Sequence, residues 1–229
     1  MGRAFAAYLD ARQLPYRVIT RDSLISEITA SDVRFTAVLL AISDGSLNTV
    51  ATLLSDCCVP LVYFSGSAQV PNALAFHPLY SFTNRSISLE DFEKIPFICD
   101  PGNGNKFTEI FAGFSNPVFE MDRARDARYH ALCVMLGNLP LLIQDRAART
   151  LERDFGLPRE ACLPFLDSLL KNFSVATSQT SLVAGPVARK DAATTALHLS
   201  ALEGDSFLGA LYRLLVEDAW PEYPLVRNL

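Results

Sequence analysis

Two uninterrupted apolar runs constrain this chain more than any other feature. They are "TAVLLAIS" at 36–43 and "VPLVYFSG" at 59–66. A strand with one face in water alternates apolar and polar residues, whereas these runs are apolar almost throughout. That pattern belongs to strands buried on both faces, as in a parallel sheet covered by helices. The segment between them, 46–57, carries Leu47, Val50, Leu53 and Leu54 at helical spacing. Strand, helix and strand in that rhythm imply βαβ units.

The same reading extends on both sides. Residues 2–14 suit a helix, with Phe5, Tyr8 and Leu9 on one stripe, followed by a short β-rich run, "YRVIT", at 16–20. Strand-like pieces recur at 72–82 and 94–100. "PGNGN" (101–105) reads as a turn, 106–114 as a helix and "PVFEMD" (117–122) as the last strand. Beyond residue 123 no comparable β-rich run follows. Helical patterns cover 123–148, 158–174, 191–203 and 206–218, the first marked by Leu132, Leu136, Leu139 and Ile143, with Pro140 expected to kink it. The expected organisation is therefore an α/β Rossmann-like domain over 1–122 and an all-α domain over 123–229.

Composition narrows the function classes. The 229 residues carry a net charge of −5, and Lys and Arg form no cluster, which argues against a nucleic-acid footprint. No apolar run reaches the length of a membrane span. The residues after Met1 lack a signal-peptide pattern, since Arg3, Asp10 and Arg12 interrupt the apolar ones. Five cysteines (57, 58, 99, 133 and 162) show no framework spacing and imply reduced thiols in a cytoplasmic protein. Neither a metal-ligand spacing, a nucleophile elbow nor a P-loop is present.

Gly2 opens the first helix. In a dinucleotide-binding βαβ unit the third glycine of a G-x-G-x-x-G turn stands at that place and lets the helix pack closely on its strand. On this reading the sheet lacks its first strand and the first two glycines, and the chain as written binds dinucleotide weakly or not at all. The alternative is a simple helix start. The second strand would end in "VITRDS", where Thr20 and Arg21 suit the 2′-phosphate of NADP better than the ribose hydroxyl of NAD; the alternative for Arg21 is a solvated surface position.

At "AFHPLYSF" (75–82), "YHALCVMLGN" (129–138) and "AGPVARKDAATTALHLSAL" (184–202) the sequence resembles a bacterial family of Rossmann-like proteins of unassigned activity. Their C-terminal domain is similar to that of 6-phosphogluconate dehydrogenase, and they lie near pyrroline-5-carboxylate reductase and prephenate dehydrogenase. The resemblance implies an NADP-linked oxidoreductase acting on a small, anionic metabolite in a cleft between the two halves. It also implies a homodimer formed through the helical half. The rival reading is a non-catalytic nucleotide-sensing or dimer-forming protein that keeps the scaffold.

Candidate site residues follow. His77, held extended before Pro78 past a buried strand, is the first candidate for proton transfer, as a similar His-Pro segment in prephenate dehydrogenases implies, with a structural histidine bridging two loops as the alternative; His130 is the second candidate. Ser43, Ser65 and Gly66 end strands at the edge a cofactor would cross, with turn chemistry as the alternative for Ser43 and its neighbour Asp44. Tyr129 and Asn138 would line the substrate cleft. Related hydroxyacid dehydrogenases place a catalytic Lys one turn before that Asn, where this sequence has Val134. Arg189, beside the Asp191 helix cap, suits an acidic substrate group; its alternative is a salt bridge in the loop.

Overall fold

In the computed structural model, residues 1–20, 23, 27–28, 35–122, 126–175 and 184–224 are described. The chain forms two compact units, Met1–Asn138 and Leu139–Leu229. The first unit is α/β. Helix α1 (Gly2–Ala11) precedes β1 (Val38–Leu40), α2 (Asp44–Leu53), β2 (Leu61–Tyr63) and β3 (Ala73–Ala75). These strands pair in parallel in the order β1-β2-β3. The apolar runs at 36–43 and 59–66 are therefore neighbouring strands, in the register Val38 to Leu61 and Leu40 to Tyr63.

One residue past β3 the chain changes sheets. β4 (His77–Pro78) pairs antiparallel with β5 (Phe97–Cys99), which pairs in parallel with β6 (Val118–Glu120). The short helices α3 (Leu89–Glu93) and α4 (Gly104–Ile110) connect these strands. Phe76 stands at the crossing. Its amide donates to the Tyr63 carbonyl at 3.0 Å, and its ring is fully buried.

An aromatic core holds the unit together. Phe5 and Tyr8 of α1 pack with Phe64, Phe76, Phe92, Phe97, Phe107 and Phe111. Phe5 meets Phe64 and Phe97 at ring centroid distances of 4.6 and 5.9 Å, and Tyr8 stacks on Phe92 at 4.1 Å. A second cluster, with Leu40, Leu47, Ala51, Leu54, Leu61, Tyr63 and Ala75, seats α2 on the parallel sheet.

The expected strand at 16–20 does not form. No strand pairs with this segment among the described residues, and Val18 is 73% exposed. A strand exists only where a neighbour takes its backbone hydrogen bonds, so β-propensity alone left it irregular. The short helix α3 was not legible beforehand. It is set by Ser88, whose hydroxyl accepts from the Asp91 amide as an N-cap.

The "PGNGN" turn is fastened by a side chain. Glu120 of β6 accepts from the Gly102 and Gly104 amides, each at 2.9 Å. Gly102 has φ +80°, and a Cβ on Gly104 would lie 2.8 Å from Glu120 Oε1, so both glycines serve this turn.

The second unit is helical. α5 (Asp126–Phe155) runs on continuously through Pro140, and the division between units falls inside it, beyond the expected boundary at 122. A 3₁₀ turn (Arg159–Cys162) leads into α6 (Leu163–Val175), and α7 (Ala192–Ala201) and α8 (Ser206–Ala219) complete the unit. Asp191 caps α7 through the Thr194 amide, and Asp205 caps α8 through the Phe207 and Leu208 amides. No residue of α6 is buried, although Phe165, Leu170 and Phe173 lie along it.

Two outcomes follow. Phe97→Ala, at the centre of the aromatic core, lowers the unfolding free energy by about 3–5 kcal/mol in urea titration. The two amide bonds hold the Glu120 carboxyl below the usual glutamate range. Its contribution is present above the ordinary value of about 4.3 and is lost as pH falls through the lowered folded-state value. Glu120→Gln flattens that part of the stability curve when urea midpoints are compared between about pH 7 and pH 3.

Candidate functional site

The two buried strands and the start of α5 bring four residues together within the first unit. Gly66 lies three positions past the end of β2 and is buried. His77 begins β4, directly after the buried Phe76. Tyr129 and His130 are consecutive in the first turns of α5. The Tyr129 hydroxyl lies 2.7 Å from His77 Nδ1, with the two rings perpendicular. The His77 and His130 rings stand 5.9 Å apart, edge to face.

Gly66 makes this assembly possible. A Cβ at that position would lie 2.6 Å from His130 Nδ1 and 3.0 Å from His77 Nε2. Contacts that short are not tolerated, so only glycine lets both imidazoles close on the strand end. The His77 ring is thus bracketed, with Tyr129 at Nδ1, and Gly66 and His130 at the Nε2 side. His130 Nδ1 is buried and has no hydrogen-bond partner among the described residues. An unpaired buried nitrogen costs about 1–3 kcal/mol, which marks the spot as one that is not arranged for stability alone.

Ser65 joins the end of β2 to the start of α2. Its hydroxyl donates to Asp44 Oδ2 at 2.7 Å and accepts from the Ser67 and Ala68 amides. Asp44 therefore works as a turn anchor for the Ser65 loop. Ser43 is the N-cap residue of α2, and its hydroxyl pairs with Ser46 at 3.1 Å. Gly2, at the start of α1, packs against the residue that follows β1: its Cβ would lie 3.1 Å from Ala41 Cβ. The start of α1 thus meets the carboxyl end of the parallel sheet, the edge at which Ser43, Ser65 and Gly66 also stand. Ligands of open α/β sheets bind along that edge, with phosphate at a helix N-terminus.

Other sequence candidates stand apart. Thr20 pairs with Ser23 at 3.3 Å on an exposed segment and does not end a strand, contrary to expectation, because no strand pairs with residues 16–20 among the described residues. Arg21, and Asp22 beside it, lie outside the described residues. Asn138 is exposed on α5, eight residues and ~12 Å along the axis from His130. Arg189 belongs to the second unit, exposed on the turn before α7. There the Asp191 carboxyl is held below the usual range by the Thr194 hydroxyl and amide, and Arg189 adds to this.

What sequence reading missed was the company these residues keep. His77 and Tyr129 are 52 positions apart, and nothing in the local pattern around either predicts their contact. The role of Gly66 as the gap for two rings was equally hidden. Among the described residues, no group of three or more His, Cys, Asp or Glu side chains is placed to hold a metal ion. All five cysteines are free thiols. No described helix is long and apolar enough to cross a membrane.

An α/β unit with parallel strands, followed by a helical unit, is the class of protein that this architecture defines. Comparison with known proteins agrees with that class. The chain belongs to the family defined by the domain of unknown function DUF2520, whose model matches residues 100–219. It is similar in structure to a Bacteroides fragilis protein provisionally named an NADP oxidoreductase, with a TM-score of 0.68 at 20% identity. That match covers 94% of this chain and 92% of the other. A Thermotoga maritima protein whose name states no activity gives a TM-score of 0.66, also at 20% identity, covering 89% and 87%. At this identity the likeness concerns the fold. No curated protein matches the sequence.

Gly66→Ala forces the two imidazoles apart. It lowers the unfolding free energy by about 1–3 kcal/mol in urea titration, and it shifts the ring resonances of His77 and His130 while leaving those of His198 in place.

Proposed function

We propose that this protein is an NADP-linked oxidoreductase acting on a small, anionic metabolite, with His77 as the group that moves a proton at the substrate. The observation that carries this reading is the meeting of His77 and His130 over Gly66 at the carboxyl end of the parallel sheet. A redox enzyme that interconverts a carbonyl and an alcohol needs a proton donor and acceptor at the place where an open α/β sheet binds its cofactor. The fold likeness to the Bacteroides fragilis protein supports the same reading.

The residues present fit such a cofactor in part. Gly2 brings α1 close against the end of β1, where helix amides would face phosphate, and Ser43, Ser65 and Gly66 border the path toward His77. Once bound, a nicotinamide supplies or takes up hydride. The chain's own part is to hold and orient the substrate and to exchange a proton at His77 Nε2. His130 is the second candidate for that exchange. Tyr129 and Asn138 on α5 are proposed as substrate contacts.

We further propose a homodimer through the helical unit. α6 buries none of its residues, and Phe165, Leu170, Phe173 and Val175 are each more than 60% exposed along it. A second copy of the same helix face is the occupant proposed for so large an apolar surface. A non-catalytic, nucleotide-sensing role remains the second reading, favoured by Val134 standing where related dehydrogenases carry a Lys.

NADPH is titrated by fluorescence against this chain; saturable binding supports the oxidoreductase reading, and its absence overturns it. In a form that binds and turns over, His77→Ala lowers kcat by about 10²–10⁴-fold with NADPH affinity retained. Light scattering gives the mass of a dimer, and Leu170→Asp with Phe173→Asp reduces it to a monomer; a monomeric mass for the unaltered chain rules the dimer out.

A further inference from the structure

Arg146, Arg149 and Arg153 stand three and four positions apart and form no run in the sequence, yet helix geometry gathers them. At about 100° per residue, Leu142, Arg146, Arg149, Thr150 and Arg153 project within an arc of about 100° around α5. That face borders two cavities of about 310 and 510 Å³, which share Arg146, Thr150, Arg153 and Asp205 in their walls. Together they make one groove between the second half of α5 and the turn that leads into α8, within the second unit.

The acids around this groove are already engaged. As the N-cap of α8, Asp205 accepts from the Phe207 and Leu208 amides, and Arg146 holds both its oxygens at 3.1 and 3.0 Å. Asp145 is shared by Arg149 and Arg159, and Asp154 takes Nε and Nη2 of Arg153. Four guanidinium groups therefore share three carboxylates. Asp145 and Asp154 project about 40° beyond the two edges of the arginine face, so they meet their partners from the flanks. Glu152 also lies off this face, and its charge acts on Arg159. Among the described residues, Nε and Nη1 of Arg149, Nη1 of Arg153 and the hydroxyls of Thr150 and Ser206 have no hydrogen-bond partner.

We propose that this groove binds a small organic anion, its phosphate or carboxylate end held by Arg149 and Arg153 and its apolar part lying against Leu142, Leu202 and Leu208. Guanidinium groups offer several fixed donors to the oxygens of either anion, and the ones left over here border the same space. The volume is that of a small-molecule site, about 300–1,000 Å³. Admission of the anion displaces little: the Arg149 and Arg153 side chains are 74% and 71% exposed, and ion pairs so open to water contribute little to stability. Arg146 has a different part. Its bond to the Asp205 cap fixes the wall of the groove. The site belongs to the helical unit, and the proposal does not depend on the oxidoreductase reading.

Phenyl phosphate and benzoate carry the two anions on the same apolar ring. Each is titrated calorimetrically against the full chain, and amide ¹H–¹⁵N spectra are recorded alongside. Saturable binding of at least one is expected, with shifts at residues 149, 150, 153 and 206; the tighter of the two tells phosphate from carboxylate recognition. The double variant Arg149→Gln with Arg153→Gln weakens that binding by about tenfold or more, while its urea midpoint stays that of the unaltered chain. Lys171→Gln, an exposed cation on α6 paired with Asp167, leaves the binding unchanged and controls for net charge. Absence of saturable binding by both probes overturns the proposal. So does equal binding by the double variant, or a set of shifts confined to the first unit. Phenyl phosphate bound no more tightly than inorganic phosphate overturns the role given to the three leucines.

Discussion

The burial of Phe76 is the constraint on which the first unit depends. Its ring packs edge-on against Phe107 and Phe111, 5.2 and 6.0 Å away between centroids, and its amide continues the parallel ladder to Tyr63. The residue before it, Ala75, belongs to the cluster under α2. The residue after it, His77, pairs with Ile98 in the second sheet. A ring that has no exposed surface fixes the point at which the chain leaves one sheet for the other, and so fixes where His77 begins.

From that point the site follows by exclusion of volume. Gly66 is brought beside His77 because β2 and β3 are neighbours in register. The missing Cβ at Gly66 leaves room that both histidine rings take up. Tyr129 then meets that ring through its hydroxyl, 2.7 Å from His77 Nδ1. The same parts that make the fold compact thus set the geometry available for chemistry, and a loss of one would be felt in both stability and site.

The helical unit obeys a different balance. Its helices are capped by Asp191 and Asp205, and Arg146 bonds both carboxylate oxygens of Asp205 at 3.1 and 3.0 Å. Its buried side chains among the described residues include Val187, Thr195 and Val216, while α6 keeps an apolar face exposed. Asp191 and Asp205 satisfy the starts of α7 and α8, but the burial that ordinarily stabilises helices is incomplete among the described residues of this unit. The proposed homodimer rests on this incomplete burial.

Sequence alone determined the parallel strands at 36–43 and 59–66, because a run with no polar alternation has no face to turn to water. It also determined the helical second half, through the spacing of its apolar residues, and the Asp191 cap, through its place before a helix-forming run. It misjudged "YRVIT", whose β-branched residues have no partner strand among the described residues to make their propensity count. It nominated His77, His130, Tyr129 and Gly66 singly and for different reasons. Only the tertiary structure decided that they meet, since contacts over 52 positions depend on how sheets and helices pack and leave no local periodicity to read. The need for glycine at 66 is of the same kind: it is set by two rings that arrive from elsewhere in the chain, and no pattern around residue 66 records them.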